Sequence, residues 1–310
     1  MKTGIILVTY NGWSMTQSCL EKLVGLPQDK FAIVVADNGS SDGTPQKIKE
    51  NFSAVFITEL NENKGFGTAN NRAIQFLKNQ IDFDSICLLN NDTIPEKETI
   101  VALQKDLQIW NTNHPENQAV FSPQMQNENG TIQVAYYTDF SLQTFFTNAF
   151  RTKGNADIRL HGTPIPTSDG PYLKSTYYTG AVCWMMNLSL WESCKGFDEK
   201  IFMYYEDTDF AWRANVSGAR FFVDTRLLLL HLGGGSTETS LKQALQHDRS
   251  QEYVFNKRWG KRGLLISRLF KCTRSGIRIL ISLPFVPISG KARKNISIHL
   301  HLFKDALCHF

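Results

Sequence analysis

Paired cysteines, clustered histidines and carboxylates near the C-terminus are what this chain has little of, and each shortage removes a class of function. The six cysteines, at positions 19, 87, 183, 194, 272 and 308, form no CxxC pair and no framework spacing. That argues against a disulfide-stapled domain and for reduced thiols on apolar segments, as in a cytosolic protein. The seven histidines lack zinc-ligand spacing. No internal repeat or low-complexity run is present, so solenoid and disordered classes are not expected. The apolar run Ile5 to Val8 begins so early that no signal peptide is predicted. Hydrophobic residues at 42% and charged residues at 20% suit an ordinary globular chain of 310 residues.

The shortage of acids is local. From Lys257 to Phe310 there are 12 lysines and arginines against one acid, Asp305, a net of 12 − 1 = +11. The remainder has 21 − 28 = −7, and the two parts sum to the whole-chain +4. A slightly acidic body at 1–256 therefore carries a basic tail at 257–310, and such a tail predicts an anionic partner surface. Plotted at about 100° per residue, Leu264 to Leu283 is an amphipathic helix. Arg268, Lys271, Arg274 and Arg278 fall on one side, with Leu265, Ile266, Leu269, Phe270, Ile277, Leu280 and Ile281 on the other. Four cations and two prolines, Pro284 and Pro287, argue against a membrane span. A helix lying in the membrane interface is expected, with nucleic acid the less expected partner.

The first hundred residues alternate strand and helix. Strands are predicted at Gly4 to Val8, Phe31 to Ala36, Val55 to Thr58 and Ile86 to Leu89; helices at Met15 to Leu23, Thr44 to Phe52 and Ala69 to Lys78. This order implies a parallel sheet with right-handed crossovers, in which the polar loops after the strands open on one edge. The expected α/β domain divides into a regular half at 1–123 and a less regular half at 124–256. Residues 124–178 pattern weakly and suggest a small antiparallel element with a mobile loop around 150–172. Beyond them come a strand at Tyr178 to Asn187, helices at Leu188 to Cys194 and Tyr205 to Ser217, and strands at Phe221 to Asp224 and Arg226 to Leu230.

Five stretches carry chemistry. Leu88-Leu89-Asn90-Asn91-Asp92 ends a buried strand on a carboxylate, where a hard cation with substrate phosphates could sit. Val35 to Thr44 (VADNGSSDGT) puts Asp37 at a strand end, able to accept from a base N–H or a ribose hydroxyl. Gly65-Phe66-Gly67-Thr68-Ala69-Asn70 is half of a dinucleotide fingerprint, but it follows the third strand and has Asn70 at the last position. Its glycines still suit a diphosphate at a helix N-terminus, with Lys64 nearby. Glu206, Asp207 and Asp209 repel one another, which raises the proton affinity of at least one and suits a general base. The alternative for these acids is a helix start favoured by the macrodipole, with Asp209 and Arg213 paired one turn apart. His231, followed by three glycines and Ser236, is a candidate for metal or phosphate contact.

As an ordered set these motifs resemble the inverting GT-A glycosyltransferases of family 2, in particular their rhamnosyltransferase-like bacterial branch. The set is VTYN at 8–11, VADNGSSDGT at 35–44, NENKGFGTANN at 61–71, LLNND at 88–92, TGAVCWMM at 179–186, GFDEKIFMYYEDTDFAWR at 196–213 and HLGGGS at 231–236. The resemblance implies a Rossmann-like, mostly parallel sheet flanked by helices. It implies that Thr9, Tyr10, Asn11 and Asp37 line the base and ribose pocket, while Lys64, Gly65, Asn70 and Asn91 support the nucleotide-sugar. Asp92 would be the main metal ligand for Mg²⁺ or Mn²⁺, with His231 as a further ligand; Asn90, where the family's DxD pattern has an acid, is the departure. Asp207 would be the base, with Glu206 and Asp209 shaping its surroundings. Ala181, Trp184 and Arg213 would stand on the acceptor side.

The activity so implied is inverting transfer, from dTDP-L-rhamnose or else a UDP-hexose or UDP-galactofuranose. The acceptor would be a lipid-linked or growing surface glycan at the cytoplasmic face of the membrane. A nicotinamide-dependent oxidoreductase and a non-catalytic glycan-binding scaffold are the other classes.

Overall fold

The structure, a computed structural model, describes residues 1–133, 136–137, 165–167, 170–233, 240–285, 287 and 289–308. They form two compact units: one from within 1–140, 154–200 and 206–235, the other from Ile201–Tyr205 with the residues after 235. Residue 257, the expected start of a separate tail, thus falls inside a helix of the second unit. Most of the loop expected around 150–172 lies outside the described residues.

The first unit opens as the alternation predicts. In order come β1 (Thr3–Thr9), α1 (Trp13–Leu23), β2 (Phe31–Asp37), α2 (Thr44–Asn51), β3 (Phe56–Glu59), α3 (Phe66–Lys78), β4 (Ser85–Leu89), β5 (Thr93–Ile94), α4 (Lys97–Asn113) and β6 (Ala119–Gln126). There follow β7 (Tyr136–Tyr137), β8 (Ile165–Thr167), β9 (Gly170–Thr176), β10 (Tyr178–Thr179), β11 (Cys183–Asn187), α5 (Leu188–Ser193), α6 (Glu206–Val216) and β12 (Arg220–His231). The main sheet runs β3-β2-β1-β4-β11-β6-β12-β9-β8, with β5 on β12, and β7 pairs with β10. Strands β1 to β4 are mutually parallel, and β11 enters antiparallel beside β4.

Both faces of this sheet are covered, which is why its central strands read as unbroken apolar runs. Ile6 and Val34 point with α3, α5 and α6 into one core layer; Ile5, Leu7, Ile33 and Val35 point with α1, α2 and α4 into the other. Two expected strands merge: Phe221 to Asp224 and Arg226 to Leu230 are one strand, β12, broken by an irregularity between Asp224 and Leu228. The expected strand Tyr178 to Asn187 is instead two, β10 and β11, parted by a tight turn in which Val182 N donates to Gly180 O at 2.8 Å.

The second unit contains α7 (Leu241–Ser282), a 3-10 turn (Leu283–Phe285) and α8 (Gly290–Cys308). Helix α7 opens with a capping box, Ser240 accepting from Gln243 N and Gln243 Oε1 accepting from Ser240 N. It is not straight. Lys271 Nζ reaches Glu252 Oε1 at 2.6 Å, although residues that far apart in a straight helix would be separated by about 28 Å. The chain reverses at Gly260, whose φ of 63° and ψ of −157° are open to glycine. Helix α8 then packs back, with Asn295 Nδ2 donating to Ser282 Oγ at 2.7 Å. In Ile201–Tyr205, Tyr204 and Tyr205 hold φ of 67° and 68°. The Met203 carbonyl and the Tyr205 hydroxyl accept from Ser250 Oγ and Gln251 Nε2 at 2.7 and 2.6 Å.

The expected amphipathic tail is corrected in its orientation. Arg268, Lys271 and Arg274 do not form an outward basic stripe. They pair inward with Glu252, Asp248 and Asp305, and Lys271 is 0% exposed. Their partners come from the first half of α7 and from α8, which no single-helix projection can anticipate. Among the described residues no helix is long and apolar enough to cross a membrane.

Candidate active site at the strand-end edge

Strand β1 pairs with β2 on one side and β4 on the other, so the chain changes direction across the sheet between β1 and β4. Ligands of open α/β sheets bind at such a switch point, beyond the carboxyl ends of the strands. Thr9 ends β1 there, level with Asp37 at the end of β2. Thr16 Oγ1 donates to Thr9 Oγ1 at 2.8 Å, and Asn91 Nδ2 reaches across from the β4 side to Thr16 Oγ1 at 2.9 Å. Thr9 and Asn91 therefore tie the rim together from below, while Tyr10 stands 51% exposed above it.

Asp37 Oδ2 accepts from the N–H groups of Gly39 and Ser40 at 3.2 and 2.9 Å. Its Oδ1 is buried and lacks a hydrogen-bond partner within the protein, as a ligand-facing acceptor would. Asn11, at φ 49°, accepts from Ser41 N at 2.7 Å and locks the first loop to the second. Asn38 locks the second to the third: its Nδ2 donates to Asn63 Oδ1 and Gly65 O, and its Oδ1 accepts from Lys64 N at 2.9 Å. Sequence reading did not single out Asn38 or Asn63, though Asn in a polar Gly-containing loop signals such side-chain-to-backbone turns. Gly65, at φ 89° and ψ 165°, precedes α3 in a conformation that suits only glycine. The Lys64 amine pairs with Glu62 at the surface. Asn70 is buried and donates to Phe66 O at 3.0 Å, so it braces the first turn of α3 from inside.

The LLNND turn meets the end of β12. Antiparallel pairing sets Thr93 opposite His231, and Leu232 N donates to Asp92 O at 2.9 Å. His231 Nε2 comes within 3.4 Å of Asp92 Oδ1. The imidazole is oriented by Gln133, a residue absent from the sequence-derived set because its segment has no recognisable motif. Gln133 Nε2 donates to His231 O and Asn127 Oδ1, so its Oε1 faces His231 Nδ1 at 2.8 Å and takes that proton. Nε2 is left facing the Asp92 carboxylate. Asp92 Oδ1 and Asn90 Oδ1 are both buried without a hydrogen-bond partner. Asp92, His231 and Asn90 thus form an oxygen- and imidazole-bearing corner that fits a divalent cation. Among the described residues no group of three or more His, Cys, Asp or Glu side chains gathers, so Asn90 and a substrate would complete the ligand set.

The acidic motif starts α6. Burial, then the neighbouring Asp207 charge, pushes the Glu206 carboxyl up to about 8. Burial also raises Asp207, against the opposing hydrogen bonds from the backbone of Thr208 and Ala181. Thr208 extends the network, its hydroxyl lying 3.2 Å from Asp207 Oδ1 and 3.0 Å from the Tyr178 hydroxyl. The Gly180–Val182 turn joins this network to the Asn90–Asp92 turn. Ala181 contributes its backbone to Asp207, and Val182 O accepts from Asn90 N at 2.9 Å. Gly67 lets α3 come close to the same place, since a Cβ there would stand 3.0 Å from Phe197 Cβ and 3.8 Å from Glu206 Cβ.

Two expectations about the acceptor side are corrected. Trp184 is 0% exposed. It faces inward from β11, donates Nε1 to Thr179 Oγ1 at 2.8 Å and packs on Phe197, Phe210 and Phe221, so it belongs to the core and does not face an acceptor. Arg213 is engaged with Asp209 at 2.8 Å and with the carbonyls of Cys194 and Gly196. Asp209 and Arg213 together hold that turn beside Phe197, which leaves both as braces. Asn71 does similar work from α3, bonding both the N–H and the carbonyl of Phe197.

A parallel β/α half with carboxylates at its switch point, continued by an antiparallel β11 and a buried acidic pair, defines the GT-A class of nucleotide-sugar transferases. The chain belongs to glycosyl transferase family 2, whose model matches residues 4–158, half of the sequence. It is 24% identical over 308 residues to the N-acetylglucosaminyl-diphospho-decaprenol L-rhamnosyltransferase of Mycobacterium tuberculosis, covering 88% of this chain and 94% of that one. It is 24% identical over 213 residues to the low-salt glycan biosynthesis hexosyltransferase Agl10 of Haloferax volcanii, covering 68% of this chain and 61% of that one. Among solved structures it resembles the mannosyltransferase PcManGT of Pyrobaculum calidifontis in complex with GDP-Man and Mn²⁺. That match has a TM-score of 0.55 at 13% identity, over 99% of this chain and 86% of the other. It also resembles S. aureus TarS 1-349 in complex with UDP, at a TM-score of 0.51 and 16% identity, over 100% and 92% of the two chains. The chain is a glycosyltransferase.

Proposed function

We propose that the chain transfers L-rhamnose from dTDP-L-rhamnose, with inversion, to a hydroxyl of a lipid-linked glycan at the cytoplasmic face of a membrane. The observation that carries the enzymatic reading is the Gly180–Val182 turn, which Asn90 of the metal corner grips from one side and the Asp207 environment from the other. Donor and acceptor are supported by the mycobacterial relative, whose name specifies rhamnosyl transfer to a diphospho-polyprenol sugar.

Asp37 would hold the base or ribose through its unpartnered Oδ1, and the Gly65 loop would take the diphosphate close to its backbone. Asp92, His231 and Asn90 would hold Mg²⁺ or Mn²⁺. Bound there, the ion would supply positive charge against the leaving diphosphate. Asp207 would accept the proton of the acceptor hydroxyl as that oxygen bonds the anomeric carbon and the C1–O bond to the diphosphate breaks. Attack from the opposite face inverts the centre. Burial raises the proton affinity of Asp207 above that of an ordinary carboxylate, which suits a group that takes a proton.

Thermal-shift titration with dTDP, UDP and GDP sugars, each with and without Mn²⁺, tests the reading. Stabilisation by dTDP-L-rhamnose above the others is expected. Equal or stronger stabilisation by a UDP-sugar would replace the rhamnose assignment, and stabilisation by no nucleotide diphosphate would remove the donor site altogether.

A further inference from the structure

The second unit buries polar as well as apolar side chains. Its interior seam is polar: Asp248, Gln251, Ser267, Lys271 and Ser275 are all buried, and Lys271 draws Glu252 and Asp305 onto itself. Val254, Phe255, Phe270, Leu302 and Ala306 are buried as well, while a further set of apolar side chains stands outside. Leu269 is 53% and Leu280 67% exposed, and Leu265, Ile281, Leu283 and Phe285 are exposed with them. Leu269 and Leu280 lie eleven residues apart, three turns and about 16 Å along one side of the helix. In water such a surface is a liability unless something apolar covers it.

Charge selects what covers it. The acids that could neutralise the tail are turned inward: Asp305, the one acid after residue 257, is held by Lys271. Lys261, Arg262 and Arg278, on the same helical segment as the leucines, are exposed. A second copy of the chain would bring two cationic surfaces together, whereas an anionic bilayer offers hydrocarbon to the leucines and phosphates to the cations. We propose that Leu265, Leu269 and Leu280 on one side of the helix, with Leu283 and Phe285 in the turn after it, dock on an anionic lipid bilayer, lying in its interface. The inference deepens the proposed lipid-linked acceptor and rests on it for its purpose. It reassigns the contact from the stripe of Arg268, Lys271 and Arg274, which serve the interior, to the leucines opposite.

The test is co-sedimentation of the full-length chain with phosphatidylcholine vesicles with and without phosphatidylglycerol. Wild type is expected to bind the anionic vesicles more tightly, and less so as salt rises. L269Q/L280Q is expected to lose about tenfold or more of that binding. Circular dichroism and nucleotide-dependent thermal shift, unchanged in the variant, would show that the fold is kept. No binding by wild type overturns the proposal, as does undiminished binding by the variant. So does a wild-type dimer, seen by analytical ultracentrifugation, that the variant abolishes while vesicle binding persists. Vesicle binding without any nucleotide response would leave the docking surface standing and remove the proposed transferase donor instead.

Discussion

His231 and Asp92 meet, Nε2 to Oδ1 at 3.4 Å, because two residues of β5 pair with the end of β12, and Gln133 holds the imidazole at Nδ1 so that Nε2 faces the carboxylate. Replacing Gln133 with leucine is expected to weaken Mn²⁺ affinity about 10–100-fold by freeing the ring to rotate. D92N is expected to cost more. Mn²⁺ titration followed by thermal shift, in the presence of nucleotide, reads both; a wild-type response from Q133L would mean the imidazole does not serve a cation.

Asp207→Asn is expected to lower kcat about 10²–10⁴-fold with folding preserved, since the amide cannot take the acceptor proton. Nucleotide-sugar binding should persist. Steady-state kinetics beside circular dichroism checks this, and near-normal turnover would place the base elsewhere.

Glu206 gives stability a pH dependence. Its carboxyl ionises near 4.5 when unfolded and near about 8 when folded, so the folded chain holds more protons between those values. The favourable contribution is complete below 4.5 and is lost as pH rises toward about 8. Glu206→Gln, neutral at every pH, should therefore melt above wild type at the alkaline end of this window and close to it at the acid end. Parallel melting curves for the two proteins across the window would contradict the assignment.

Gly67 packs against Phe197 with no room to spare. Gly67→Ala sets a methyl 3.0 Å from Phe197 Cβ, and a loss of about 1–3 kcal/mol is expected from the forced shift. Urea unfolding measures it; a stabilised variant would show that α3 can move aside.

Lys271 is the buried cation of the second unit. Lys271→Met leaves Glu252 and Asp305 facing each other without it, and a cost of about 3–5 kcal/mol is expected. Adding D305N should recover part of that loss, because it removes the charge facing Glu252 while leaving Glu252 to Arg268. Chemical denaturation of the single and double variants decides between a supporting and an incidental cluster.

The chain's local patterns determined the parallel half. Apolar runs ended by Asp37 and Asp92, glycines at helix starts and the Glu206-Asp207 pair are readable because strand ends and helix starts carry local chemistry. The set of candidate residues on the edge was legible for the same reason. What only the tertiary structure decided are the relationships between distant segments. Gln133 has no motif, yet it orients His231 across 98 positions. Trp184 and Arg213 belong to strong motifs, yet one is buried in the aromatic core and the other is engaged with loop carbonyls. The tail is the clearest case. A helical projection of Leu264 to Leu283 separates cations from leucines correctly, but which side faces out depends on the reversal at Gly260, which brings Asp248 and Glu252 to the cations, and on the return of α8, which brings Asp305. LLNND shows both limits in five residues. Its position at the sheet edge follows from the run that precedes it, whereas its partner, His231, arrives only when the last strand of the sheet pairs with β5.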